Sequence, residues 1–163
     1  MKLLRTINRL KDPRDLWLFL QILTTIILLP RLIRRKSLPD LLKDLDPGVP
    51  ERRLNSGGLP REPNRDQMEK TVGFADSLLC YRVFQRYGKC LLRSLILFRF
   101  LRRQGWPVEI HFGVRKTGEP GNEDVRTSHI DITGHSWLVL DGEPFLEEEN
   151  QQGSFATTYT YAG

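Results

Sequence analysis

The stretch from Gly88 to Gly105, GKCLLRSLILFRFLRRQG, places the strongest limit on the fold. Leu91, Leu92, Leu95, Ile96 and Phe98 cover a wide arc of one helix, expected over residues 90–103 and ended by Gly105. A helix apolar over so much of its surface must be largely buried, so other elements have to pack around it. Its arginines (Arg93, Arg99, Arg102, Arg103) then need carboxylate partners or a route to solvent. After Gly105 the period changes. PVEIHFGV reads as a strand, RKTGEPGNEDVRTSHIDITG as a polar, Gly-rich excursion. HSWLVLDGEPFLEE has apolar runs on either side of Asp141-Gly142, a hairpin signal. Helices followed by an antiparallel sheet make an α+β layout.

Upstream, residues 2–11 are expected to form a short amphipathic helix, and residues 15–35 a second helix or a pair kinked at Pro30. A short helix follows at 40–45. Residues 47–64 carry four prolines and three glycines and read as a linker. The chain is therefore divided into a basic helical segment (1–46), the linker (47–64) and a C-terminal domain (65–163). In that domain Asn64 and Gln67 make a capping-box pattern, and Met68, Val72, Ala75, Leu79 and Val83 form one helical stripe. Gly88 is expected to stop this helix, and Cys80 to serve packing within it.

The net charge of +5 is uneven. Residues 1–36 hold nine Lys or Arg against Asp12 and Asp15, so that segment is +7 and the rest −2. Such a segment suits an anionic membrane surface or an acidic peptide; no nucleic-acid partner is expected. LWLFLQILTTIILL, residues 16–29, is the most apolar run. Its fourteen residues fall short of the roughly 20 that span hydrocarbon. A buried core helix is the first expectation, and attachment to a membrane surface through residues 1–36 the alternative. Two cysteines give no disulfide framework, so both are read as thiols of a cytoplasmic protein.

Cys90 falls in the first turn of the apolar helix. Unpaired backbone N–H groups there favour an anion, which suits a nucleophilic thiolate. A thiolate enzyme also needs a base, usually histidine. His111 alternates with apolar residues and reads as a packed strand histidine. His129 lies in the polar excursion. His135 begins the hairpin strand next to a loop, a good place for a base. Asp141, six residues along the same strand, is roughly 20 Å away and belongs to the turn. If Asp141-Gly142 is a two-residue turn, paired positions sum to 283. His135 then faces position 148, and the run Glu147-Glu148-Glu149 brings a carboxylate within reach of the imidazole.

These residues carry a more specific likeness. Cys90-Leu91-Leu92-Arg93-Ser94-Leu95, Leu101-Arg102-Arg103-Gln104-Gly105, the strand ending in Gly113-Val114, His135-Ser136-Trp137 and the Asp141-Gly142 hairpin together resemble the transglutaminase-like domain of lasso peptide B proteins. These are the leader peptidases of lasso peptide biosynthesis, and the likeness covers about residues 66–160. It implies a transglutaminase-like or papain-like cysteine peptidase fold, with Cys90 as nucleophile and His135 as general base. The family's usual third residue is an Asp about twelve positions past the histidine. That position is Glu147 here, with Glu148 or Glu149 as substitutes. The likeness implies removal of the leader from a ribosomally made precursor peptide, without cofactor or metal, before an ATP-dependent cyclase closes the ring. Residues 1–60 lack the strands of the family's leader-binding domain, which implies a separate leader-recognition protein. Two other readings stand beside it: acyl transfer to an amine by the same residues, and a non-catalytic peptide- or membrane-docking module.

Overall fold

A computed structural model of the chain describes residues 12–48, 64–81, 88–117, 131–146 and 155–163. Among the described residues four helices precede four strands: α1 Pro13–Arg35, α2 Leu38–Leu45, α3 Arg65–Leu79, α4 Lys89–Gln104, then β1 Glu109–Thr117, β2 Asp131–Leu140, β3 Glu143–Phe145 and β4 Ala156–Tyr161. The architecture is α+β, with an antiparallel sheet in the order β3-β2-β1-β4. The helix expected at 2–11 and most of the 47–64 linker lie outside the described residues.

Local chemistry sets the helix ends. Asp12 accepts from the Arg14 N–H at 2.9 Å, and Pro13 follows it at the first helical position. Ser37 begins α2 and Asn64 begins α3, each with a side-chain oxygen accepting from the first turn. Gly105, at φ 88°, ends α4 in the left-handed region, and the Trp106 N–H bonds back to the Leu101 carbonyl at 3.0 Å.

Helix α4 is the hub of the core. Leu92, Leu95, Ile96, Leu97, Phe98 and Leu101 are fully buried, each side chain worth about 1.5–3 kcal/mol over exposure. Ile22, Ile26 and Leu29 of α1, Leu41, Leu42 and Leu45 of α2, and Phe74 and Leu79 of α3 join it in one cluster with Ile110 and Leu138 of the sheet. The α4 arginines find the partners that burial requires. Arg102 grips Asp46 through Nε (3.2 Å) and a terminal nitrogen (3.1 Å) and donates to the Ala162 carbonyl. Arg93 pairs with Asp76, and Arg103 donates to Gln21.

Several expectations change. Helix α1 is a single 23-residue helix running through Pro30, roughly 35 Å long. The apolar run is thus part of a helix long enough to cross a bilayer, with mean hydropathy 2.0 in its most apolar window. It is not the buried core helix expected: only 22% of that window is buried. One stripe (Ile22, Ile26, Leu29) meets the core and the opposite face does not. In α3 the buried side is centred on Thr71, Phe74, Ala75, Leu78 and Leu79, while Met68 and Val72 pack at its margin. The apolar spacing alone missed Phe74, whose ring meets Phe19 of α1 edge-on at 5.6 Å. Cys80 is exposed at the end of α3 and has no buried packing role. Gly88 does not stop α3, which ends at Leu79; its φ of 82° instead turns the chain into α4. The polar excursion is shorter than its composition suggests, because Arg115–Thr117 pair with Asp131–Thr133. Backbone ladders need no apolar side chains where a strand runs past the core.

Candidate active site

Cys90 is the second residue of α4 and is half-buried. The first α-helical bond of this helix runs from the Leu92 N–H to the Gly88 carbonyl at 3.2 Å, and Gly88 supplies no side-chain cap. The N–H groups of Lys89, Cys90 and Leu91 therefore lie ahead of the intrahelical ladder, at the positive end of the helix.

The i, i+4 stripe that begins at Cys90 faces the sheet. Ser94 donates its hydroxyl to the Ser136 carbonyl of β2 at 2.8 Å, with both residues buried. Phe98 meets Tyr161 of β4 edge-on at 5.8 Å, and Arg102 reaches the Ala162 carbonyl. Helix α4 thus crosses the sheet from β2 to β4, and Cys90 sits one turn before the β2 contact.

The hairpin explains why Ser136 can accept that bond. Asp141 (φ 54°) and Gly142 (φ 82°) both lie in the left-handed region, as a type I′ turn requires. Leu140 pairs with Glu143, Val139 with Pro144 and Leu138 with Phe145, so paired positions sum to 283 as the two-residue turn predicts. Pairs alternate between bonded and non-bonded. Pro144 falls at a non-bonded position on the sheet edge, where its missing N–H costs nothing. The Leu140 and Leu138 polar groups face β3, and Ser136 is the next residue whose carbonyl points that way. The described β3 ends at Phe145, and Leu146 turns out of the strand at φ 61°. Ser94 takes the carbonyl the strand leaves behind. Arg93 holds the departing chain by donating to the Leu146 carbonyl at 3.0 Å. Glu147, Glu148 and Glu149 follow immediately and lie outside the described residues.

His135 is the fifth residue of β2, inside the strand and not at its start, because the ladder extends back to Asp131. It pairs with Gly113. Strand alternation places Ser136 and Leu138 toward α4, and His135 on the other face with Trp137 and His111. The imidazole stacks on Trp137, with centroids 5.8 Å apart and planes 18° apart, and lies 5.1 Å from the Phe155 ring. Arg115 lies 4.8 Å over that same Phe155 ring. Gly113 makes room for this layer: a Cβ there would stand 2.9 Å from Trp137 Cη2 and 3.0 Å from the Ala156 carbonyl oxygen.

The structure therefore brings the Cys90 helix and the His135 strand together through Ser94 and Ser136, without a hydrogen bond between Cys90 and His135 among the described residues. His111 has an ordinary strand position, with Nε2 3.1 Å from Glu109. His129 lies outside the described residues. Asp141 is at the turn, as the spacing argument requires. Among the described residues no group of His, Cys, Asp or Glu is arranged to hold a metal ion. Ser94, Gly113, Trp137 and Phe155 were not singled out as shaping the site. The period of two in His135-Ser136-Trp137 carried the signal for Trp137. A glycine inside an apolar strand carried it for Gly113. Phe155 had no local signal.

A thiol at the start of a central helix packed on an antiparallel sheet that carries a histidine is the element order a cysteine-dependent enzyme can use. The sequence pattern of the transglutaminase-like superfamily matches residues 27–160, and the chain belongs to that superfamily. Its members are typically Cys-His-Asp enzymes, so a cysteine-based activity follows from the membership. Comparison with curated proteins and with solved structures gave no match.

Proposed function

We propose that this chain is a cysteine peptidase that removes the leader from a ribosomally made lasso precursor peptide. Cys90 is the nucleophile, His135 the general base and Glu147 the carboxylate that orients the imidazole. The observation that carries the reading is the Ser94–Ser136 hydrogen bond, which ties the Cys-Leu-x-Arg-Ser-Leu helix to the His-x-Trp strand. In the reaction the Cys90 sulfur attacks the scissile carbonyl. The N–H groups at the start of α4 receive the developing oxyanion. His135 takes the thiol proton and passes it to the leaving amine, and water then hydrolyses the thioester. His135 stands on the face of β2 turned away from α4, so the proton transfer requires the imidazole to be re-aimed toward Cys90 when substrate binds. The leader is delivered by a separate recognition protein, and an ATP-dependent cyclase consumes the product.

The test is leader removal followed by mass spectrometry, using a lasso precursor peptide, with and without a separate leader-binding protein. Cys90→Ala and His135→Ala abolish cleavage while circular dichroism stays native. Glu147→Gln slows it strongly, and Asp141→Asn keeps most of it because Asn-Gly also favours a type I′ turn. The partner raises the rate by about 10²–10⁴ through effective concentration. Full activity in Cys90→Ala defeats the reading. A product carrying an added amine in place of water reassigns the chain to acyl transfer.

A further inference from the structure

Helix α1 has two faces of different character. Ile22, Ile26 and Leu29 are buried in the core, and Asp15 is held in an ion pair with Lys70 at 2.7 Å. On the opposite side Leu16, Trp17, Leu20, Ile27 and Leu28 are exposed, Trp17 by 63% and Ile27 by 50%. At 100° per residue these five fall within one arc of about 120°. Arg31 and Arg35 continue the same arc at its C-terminal end, both exposed. Asp15 is the sole acidic residue between positions 13 and 36, and it is turned inward. The cleft between α1 and α4 borders this stripe, lined by Trp17, Leu20 and Leu28 with Arg99 and Arg103 opposite.

We propose that α1 docks this chain on an anionic phospholipid surface, lying in the plane of the interface with Trp17, Leu20, Ile27 and Leu28 in the acyl boundary and Arg31 and Arg35 on lipid phosphates. An apolar stripe with an aromatic residue at one end and arginines at the other is the pattern of an interfacial helix. The +7 charge of residues 1–36 complements an anionic leaflet. The helix does not span the bilayer, because its other face packs on α3 and α4, and withdrawing it would strip the core of three fully buried side chains and expose the Lys70 pairing. The stripe lies apart from Cys90, so docking stands or falls independently of the peptidase reading.

The test is vesicle flotation of the full chain. Vesicles of phosphatidylglycerol and phosphatidylcholine in equal parts bind it, phosphatidylcholine alone binds it more weakly, and added salt weakens binding to the anionic vesicles. Arg31→Gln and Arg35→Gln each lower the affinity about fivefold. Trp17→Ser with Ile27→Ser lowers it roughly tenfold or more and leaves the thermal melt unchanged, since both side chains are exposed. Tryptophan emission shifts to the blue on binding, and Trp17→Phe removes the shift while keeping most of the affinity. Equal binding to neutral and anionic vesicles overturns the proposal. So does indifference to the double serine variant, resistance to alkaline extraction, or a dimer in sedimentation that the double variant dissolves.

Discussion

Two neighbouring buried serines should respond in opposite ways to the same substitution. Ser94 and Ser136 are each 2% exposed. The Ser94 hydroxyl donates to the Ser136 carbonyl at 2.8 Å, whereas the Ser136 hydroxyl is buried without a partner among the described residues. Ser94→Ala leaves a buried carbonyl unsatisfied just past the described end of β3, at a cost of about 1–3 kcal/mol. In a domain of this size each kcal/mol moves Tm by roughly 2–4 °C, so the melt should fall by about 2–12 °C. Ser136→Ala removes an unpaired hydroxyl and should change stability by less than about 0.5 kcal/mol, or raise it. Thermal and urea unfolding followed by circular dichroism measure both. The variants also separate stability from function. On the proposed peptidase reading, loosening α4 from β2 displaces Cys90 at the start of the helix, and displacement on the order of 1 Å at a catalytic group can cost about 10²-fold. Ser94→Ala should therefore slow leader cleavage at temperatures where it is still folded, and Ser136→Ala should not. A larger stability loss in Ser136→Ala than in Ser94→Ala would refute the argument, because it would mean that the Ser136 hydroxyl carries the bond.

Gly113→Ala places a methyl group against Trp137 Cη2 and the Ala156 carbonyl oxygen. Overpacking should cost about 1–3 kcal/mol, and near-ultraviolet dichroism should change as Trp137 leaves its stack on His135. Tyr161 is held above its ordinary range first by burial and then by the Asp46 carboxylate. A raised folded pKa contributes stability that is fully present below the unfolded value of about 10 and is lost as pH rises through the folded value. Stability measured across that alkaline range should thus fall less steeply in Tyr161→Phe than in the parent chain.

Features governed by neighbours along the chain were legible in the sequence. Asn64 at a helix start, Gly105 at a helix end and Asp141-Gly142 in a type I′ turn follow from local hydrogen bonds and backbone sterics. The turn also set the register of 283 before any sheet was in view. The apolar arc of residues 90–103 required burial on several sides, and α4 is the hub of the core. Features governed by contacts distant in sequence needed the tertiary structure. Period alone could not say that Cys80 lies past the last packed turn of α3. It could not show that the Leu16, Trp17, Leu20, Ile27 and Leu28 side of α1 faces outward, because hydropathy does not record which elements arrive to cover it. The alternating stretch at 156–161 was not assigned as a strand, since it pairs with β1, more than forty residues earlier. His135 and Cys90 could be singled out by residue type and motif. The stack of His135 on Trp137, the room Gly113 leaves and the Ser94 bond that joins helix to strand arise only when the sheet crosses α4.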